Sequence, residues 1–286
     1  MNFLRKFRKI KFELIRKCHF LWYDYTFKKI ASKNTPMSFR CNICGAKAEA
    51  LLVDICSRES PSCAHCGSNL RMRSVIHLLS QELFGTSIPL PDFPQDRNVY
   101  GLGMSDRDEY AKPLSEKLSY TNTYYHKEPR FDISDIDIDL RSTFNFIISC
   151  DVFEHVMPPT LQSFSNLHLL LKDDGFTILT VPYMLFEKTW EHFPELNEYE
   201  IINPYDGGKL INTTKQGKRQ EYSNLSFHGG PGATLEMRVF TKKSLRKELK
   251  KSGFKQITFC KCYEPKFGII WPIKWSLPIL AKKRVC

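Results

Sequence analysis

The 286-residue chain has no uninterrupted apolar run near the roughly 18 residues that a membrane-spanning helix needs. Its opening, "MNFLRKFRKIKFELIRKCHFLWYDY", is basic throughout and lacks a small-residue cleavage site, so no signal peptide is expected. Acidic residues are scarce at both ends. Residues 1–40 hold 11 Lys and Arg against Glu13 and Asp24, and residues 242–286 hold 13 against Glu248 and Glu264. The stretch between them, 41–241, carries a net charge of −9 although the whole chain stands at +11. A basic groove for a phosphate backbone is therefore missing from the body of the protein, and only the ends can touch phosphate or anionic lipid. Without a leader, ten cysteines read as thiols and a metal site, not as a disulfide framework. The expected location is cytoplasmic, either free or peripheral at a membrane.

Residues 1–38 form a basic helix or arm. Phe3, Phe7, Ile10, Leu14, Cys18 and Leu21 recur at steps of three and four, which makes one face of a helix. That face either packs on the protein or lies on an anionic membrane surface. Residues 39–70 carry Cys41, Cys44, Cys63 and Cys66 in a C-x2-C-x18-C-x2-C pattern, with Gly45 and Gly67 directly after the two pairs. Each C-x2-C turn aims two thiolates at one point, and the glycines permit the left-handed backbone such turns use. Four thiolates satisfy the tetrahedral preference of zinc and leave no open position, so the expected zinc is structural. Cys56 and His65 lie inside the loop as alternative ligands. The following "NLRMRSVIHLLSQELF" has helical periodicity, and its Arg71 and Arg73 serve either ion pairs that fix the module or an anion.

From residue 98 the pattern changes to short apolar runs alternating with helical stretches. "NVYGLGM", "SYTNTYYH", "FNFIISCD" and "FTILTVPY" read as strands. "SDRDEYAKPLSEKL" and "TLQSFSNLHLLLKDD" read as helices, the second closed by Gly175 as its C-cap. Strand–helix alternation at this pitch implies right-handed crossovers and a parallel sheet covered on both faces. Ligands of such sheets sit outside the carboxyl ends of the strands. Asp151, Glu154 and His155 follow the buried run "FNFIISC" at that end.

"VYGLGMSD", "CDVFEHV", "LLLKDDGFTILTVPY" and "MRVFTKKSLRKELKKSGF", in this order, resemble the class I S-adenosylmethionine-dependent methyltransferases over about residues 98–275. The zinc module followed by "CGSNLRMR" is similar to the treble-clef-like or ribbon-like extensions found before some bacterial methyltransferase domains. The resemblance implies an α/β fold: a Rossmann-like, seven-stranded, mostly parallel sheet with helices on both faces, preceded by a small zinc-ribbon-like module. The methyltransferase domain would span 71–286, with a lid-like insertion at about 184–236.

The resemblance also implies site residues. Gly101 and Gly103 let backbone approach S-adenosylmethionine, although the acidic residue usual before the first glycine is replaced by Gly101. The cofactor's amino-acid moiety then needs another partner, either Asp106 or a water. Glu128 is the candidate for the ribose hydroxyls, with His126 as the alternative. Asp132 and Ile133 are the candidates for the adenine. Asp151 lines the boundary of cofactor and acceptor or merely caps the next helix, where Glu154 and His155 would begin. Gly103, Asp132 and Asp151 should converge on one pocket. His155, His192 and His228 are the candidate general bases, since imidazole suits proton transfer near neutral pH. The "HGGPG" stretch beginning at His228 is either a closing loop or a turn.

The expected activity is methyl transfer to a small molecule, sugar or glycan precursor. One rival is an RNA or protein methyltransferase gripping its acceptor with the basic tails. The other is a non-catalytic, zinc-bearing interaction module.

Overall fold

A strand buried on both faces has to lie inside a sheet, and Phe144–Cys150 is such a strand, with only Asn145 partly exposed. A computed structural model describes residues 2–33, 35–185, 188–206, 208–228 and 234–284, with side chains from residue 9 onward. In chain order come helix α1 (Asn2–Ala31), the hairpin of β1 (Pro36–Arg40) and β2 (Lys47–Leu51), and helix α2 (Leu70–Phe84). Next are strand β3 (Asp96–Met104), helix α3 (Asp108–Lys117), strand β4 (Leu118–Thr123), strand β5 (Phe144–Cys150), helix α4 (Thr160–Leu170) and strand β6 (Leu171–Thr180). An insertion contributes strands β7 (Glu198–Ile202), β8 (Lys209–Thr213) and β9 (Arg219–Ser223). Helix α5 (Lys242–Lys251) and strands β10 (Gln256–Phe259) and β11 (Ile279–Lys282) complete the chain.

The central sheet has the order β10-β11-β6-β5-β3-β4. β3, β4, β5 and β6 run parallel, and β11 runs antiparallel to both of its neighbours. The class is thus Rossmann-like α/β, mostly parallel. The crossover from β3 to β4 moves one way along the sheet and that from β5 to β6 moves the other. With right-handed crossovers, α3 and α4 fall on opposite faces. The direction reverses between β3 and β5, which makes the carboxyl end of that pair the topological switch point.

Among the described residues this sheet has six strands, not the expected seven. The segment from Phe131 to Leu140 turns back on itself because its aspartates bond their own backbone. Asp132 accepts from the Ser134 amide at 2.8 Å and Asp137 from the Asp139 amide at 3.0 Å. Such local bonds compete with a ladder. Gly175 does not cap a helix: α4 stops at Leu170, and Gly175 lies inside β6. The pairing of β5 with β6 shifts register across the stretch that contains it. Glu154 and His155 do not begin a helix either. Pro158 and Pro159 delay α4 to Thr160, which leaves both residues in a turn.

The zinc module and the sheet share one core. Phe39 and Ile43 of the module join the same buried cluster as Ile147 and Trp271. Arg73, fully buried, donates to the Gly268 carbonyl at 3.1 Å, and the Trp271 indole donates to Ser74 at 2.9 Å. In the insertion, β7, β8 and β9 form a small antiparallel sheet. It closes over a second cluster of Phe193, Leu196, Leu210, Leu235 and Met237. No helix among the described residues is long and apolar enough to cross a membrane.

α1 packs through a face other than the expected one. Phe12 stacks on Trp190 at 4.9 Å, His19 meets Trp275 at 4.8 Å, and Tyr23 and Phe27 pack on the main core. Ile10, Leu14 and Leu21 point outward. Aromatic partners elsewhere in the chain choose the buried face, and helical periodicity alone does not reveal them.

Gly101 and Gly103 sit inside β3, where neighbouring rings fill the space of their missing side chains. A Cβ on Gly101 would stand 2.2 Å from the Phe146 ring, and one on Gly103 2.0 Å from the Tyr120 hydroxyl. Gly101→Ala should therefore destabilise the fold by roughly 1–3 kcal/mol through overpacking. An unchanged urea-unfolding midpoint would contradict this packing.

Candidate functional site

Three strand ends meet at the switch point. β5, β3 and β4 are adjacent and parallel, so the residues after Cys150, Met104 and Thr123 emerge side by side. Two of the exits use left-handed backbone at residues other than glycine, Ser105 at φ 59° and Asp151 at φ 56°. Aspartate tolerates this region, and such conformations gather at functional sites.

Asp106 turns inward from this end. It accepts from the Tyr110 hydroxyl at 2.6 Å and from the Tyr120 hydroxyl at 2.5 Å. Burial pushes its pKa up to about 6, against bonds from the two tyrosines that pull the other way. Glu128 is exposed and accepts from the Arg130 amide at 2.9 Å. Asp132 is half-buried on the same loop, and Ile133 beside it is buried in the main core. Asp135, Asp137 and Asp139 face solvent.

Asp151 meets the zinc module. Arg58 donates to its Oδ1 at 2.5 Å, Arg71 stands 3.5 Å from Oδ2, and Thr180 donates to Oδ1 at 3.2 Å. Glu59 closes the cluster by accepting two bonds from Arg71 at 3.0 and 2.9 Å and pairing with Arg58. Burial would raise the Asp151 pKa, but Arg58 and Arg71 outweigh it and hold it below its ordinary value. An N-cap role is not realised, because the carboxylate is spent on these partners. Arg58 and Glu59 lie between the two cysteine pairs, and nothing in their local pattern singles them out. The Arg58 Nε is buried and has no hydrogen-bond partner.

A few residues on, a second polar cluster forms. His155 Nε2 and His228 Nδ1 are 3.1 Å apart. His155 Nδ1 bonds the Leu235 carbonyl at 2.8 Å, and His228 Nε2 bonds Glu236 at 3.0 Å. Glu236 also holds His192 at 2.9 Å. Burial pushes Glu236 up, but the two imidazoles outweigh it and bring its pKa to about 2. The bond to Glu236 raises the pKa of His228, whereas burial lowers that of His155. His228 and Glu236 border a cleft of about 400 Å³. Arg16, His19 and Tyr23 of α1 and Tyr183 after β6 form other parts of its wall. Of the rest of "HGGPG", residues 229–232 lie outside the described residues. Glu236 escaped the sequence reading because its partners come from distant segments.

The four cysteines come together as their spacing requires. The Sγ atoms of Cys41 and Cys66, and of Cys44 and Cys63, are each 3.7 Å apart, and all four lie within 4.8 Å of one another. A tetrahedron with zinc–sulfur bonds of about 2.3 Å has edges of about 3.8 Å, so the set fits zinc. Gly45 and Gly67 adopt φ of 80° and 71° and donate to the Cys41 and Cys63 carbonyls at 2.8 Å. Burial lowers the pKa of Arg73, while the charges of Cys41, Cys63 and Cys66 oppose that shift and offset the cost of its burial. Cys56 and His65 are not part of the set.

The sequence matches no protein-family profile and no curated protein. Several solved structures are similar in fold. An amino pentose methyltransferase from Micromonospora echinaspora, solved with S-adenosylmethionine, is 10% identical. The match covers 76% of this chain and 93% of that one, with a TM-score of 0.43. An S-adenosylmethionine-dependent methyltransferase from Clostridium acetobutylicum is 14% identical over 65% of this chain and 83% of its own, at a TM-score of 0.38. A 1,6-didemethyltoxoflavin-N1-methyltransferase from Burkholderia thailandensis is 14% identical over 65% and 70%, at 0.34. These distant likenesses transfer no residue's role to this chain.

Two outcomes follow from this geometry. The purified chain should carry one tightly held zinc at the cysteines, and Cys44→Ser should lower both zinc content and thermal stability, since metal-binding energy is folding energy. Full stability after chelation would contradict it. Asp106 should shape the pH dependence of stability. Its folded pKa of about 6 lies above the ordinary 3.8, so its contribution is full below the lower value and is lost as pH rises through the higher one. The loss is on the order of 3 kcal/mol. Asp106→Asn should flatten the slope of the unfolding midpoint across that interval, and an unaltered slope would count against the buried carboxyl.

Proposed function

We propose that the chain is an S-adenosylmethionine-dependent methyltransferase acting on a small molecule, sugar or glycan precursor. The observation that carries this reading is the switch point between β3 and β5, with a cleft of small-molecule size and its imidazole–carboxylate cluster close by in the chain. The residues present fit the cofactor in one telling respect. The unpartnered Arg58 Nε near the end of β5 is a buried donor that the carboxylate of the cofactor's amino-acid moiety would satisfy. Asp132, with Ile133 beside it, is assigned to the adenine, Glu128 to the ribose and Gly103 to the crevice floor.

S-Adenosylmethionine supplies an electrophilic methyl group when bound. The protein's share is alignment of the acceptor atom and removal of its proton. His155 donates through Nδ1 to the Leu235 carbonyl, which puts the lone pair of the ring on Nε2, beside His228 Nδ1. Burial keeps that ring neutral near pH 7 and able to take a proton. Glu236 fixes the orientation of His228 in the cleft wall. Asp151 acts through its clamp on Arg58 and Arg71, which sets the position of the turn carrying His155.

The outward face of α1 favours a peripheral role as well. Ile10, Leu14 and Leu21 are exposed on a helix whose segment, residues 1–40, has a large excess of basic residues. Such a face suits an anionic lipid surface.

Transfer of labelled methyl from S-adenosylmethionine to panels of sugars, small hydroxyl and amine compounds, RNA and protein tests the main reading. Label should enter the low-mass fraction; label in RNA or protein would favour the rival acceptor classes, and none in any fraction would defeat the enzyme reading. Deleting residues 1–31 should leave cofactor affinity intact while raising the acceptor KM, because α1 walls the cleft. The same deletion should abolish sedimentation with anionic vesicles, and equal partitioning of both forms would contradict the peripheral role.

A further inference from the structure

Two imidazoles and a buried carboxyl group face one another beside the cleft. The Leu235 carbonyl can only accept, so the His155 proton is on Nδ1 and its Nε2 is bare. The Glu236 carboxylate likewise takes the proton of His228 Nε2, so Nδ1 is a bare lone pair in the neutral ring and a donor to His155 Nε2 in the protonated one. These two nitrogens are 3.1 Å apart, and a metal ion can take the place of the proton between them. Glu154, fully buried, brings Oε1 to 3.9 Å from His155 Nε2 and 3.7 Å from His228 Nδ1, and neither of its oxygens has a hydrogen-bond partner. A buried carboxylate without a partner is unfavourable unless it takes up a proton or a positive charge meets it.

We propose that Glu154, His155 and His228 bind one divalent transition-metal ion, at a site separate from the four cysteines. The distances agree with this. A point equidistant from the three atoms lies roughly 2.1 Å from each, within the usual range of zinc–nitrogen and zinc–oxygen bonds. Two imidazoles and a carboxylate with a position left open form the donor set of catalytic zinc and of non-haem iron(II). Each imidazole is held as metal ligands usually are, with its second nitrogen donating to a carbonyl or a carboxylate. Glu236, shared between His228 and His192, is that supporting carboxylate.

The ion would occupy the same corner of the cleft that the methyltransferase reading assigns to the acceptor, and in that respect the inference rests on that reading. With an ion bound, the two rings hold metal instead of accepting protons, and an acceptor hydroxyl at the open position is acidified by the ion. Ion binding itself requires neither cofactor nor acceptor. Its failure would leave the methyltransferase reading standing with His155 as the base.

The test is a cobalt(II) titration of the full-length, zinc-loaded protein, followed by visible absorption and metal analysis. One further equivalent of cobalt should bind, with weak ligand-field bands and no intense thiolate charge-transfer band, while the cysteine zinc stays in place. Glu154→Gln and His228→Ala should each weaken this binding at least tenfold and keep the zinc. His228 is partly exposed, so its variant is expected to fold; the wild-type stoichiometry and spectrum decide the matter even if the Glu154 variant does not. Absence of cobalt binding would overturn the proposal. So would binding that survives in both variants, or cobalt that replaces the zinc and shows thiolate bands.

Discussion

Asp151 holds the site together through charge. Its carboxylate receives Arg58 from the loop between the cysteine pairs and Arg71 from the first turn of α2, and Glu59 balances the second guanidinium. Two cations and two anions close a neutral cluster over the end of β5. Pairs of this kind are poor sources of net stability, because desolvation cancels most of the Coulomb gain, but they penalise any misplacement heavily. The zinc module is therefore fixed in orientation against the sheet, and the turn with Glu154 and His155 leaves Asp151 in one direction only. The left-handed backbone at Asp151 belongs to the same constraint.

The rest of the site is built outward from that turn. Arg238, fully buried, donates to the Phe153 carbonyl at 2.8 Å and to the Val156 carbonyl at 2.5 Å, and so ties the turn to the segment that leads from the insertion into α5. The Met237 amide donates to the Glu154 carbonyl at 2.8 Å. The insertion thus returns Leu235 and Glu236 to the histidines by backbone pairing, not by chance contact. α1 then lies across the opening, and its aromatic contacts with Trp190 and Trp275 place Arg16 and Tyr23 in the cleft wall.

Much of this was legible in the sequence, and the reason is locality. The cysteine spacing, the buried run ending at Cys150 and the alternation of strands and helices each depend on neighbours close in the chain. The misreadings share the opposite cause. The packing face of α1 depends on tryptophans far away in sequence, and Arg58 is meaningful only once Asp151 stands opposite it. The segment around Asp132 forms turns because short aspartate side chains capture adjacent amides, a competition that apolar–polar alternation conceals. The glycines of β3 stand out in the sequence, and the Phe146 ring and the Tyr120 hydroxyl fill the space that side chains there would need. Glu154 stands in plain view after β5, but its burial and missing partners are properties of the fold alone.

The central claim is that the crevice between β3 and β5 takes S-adenosylmethionine despite its altered glycine loop. Calorimetric titration of the zinc-loaded chain with S-adenosylmethionine tests it most directly. Saturable binding of one cofactor per chain, weakened by Asp132→Ala by roughly 1–3 kcal/mol, is the result predicted for a lost buried hydrogen bond. No heat at millimolar cofactor would contradict it and would favour a zinc-bearing interaction module.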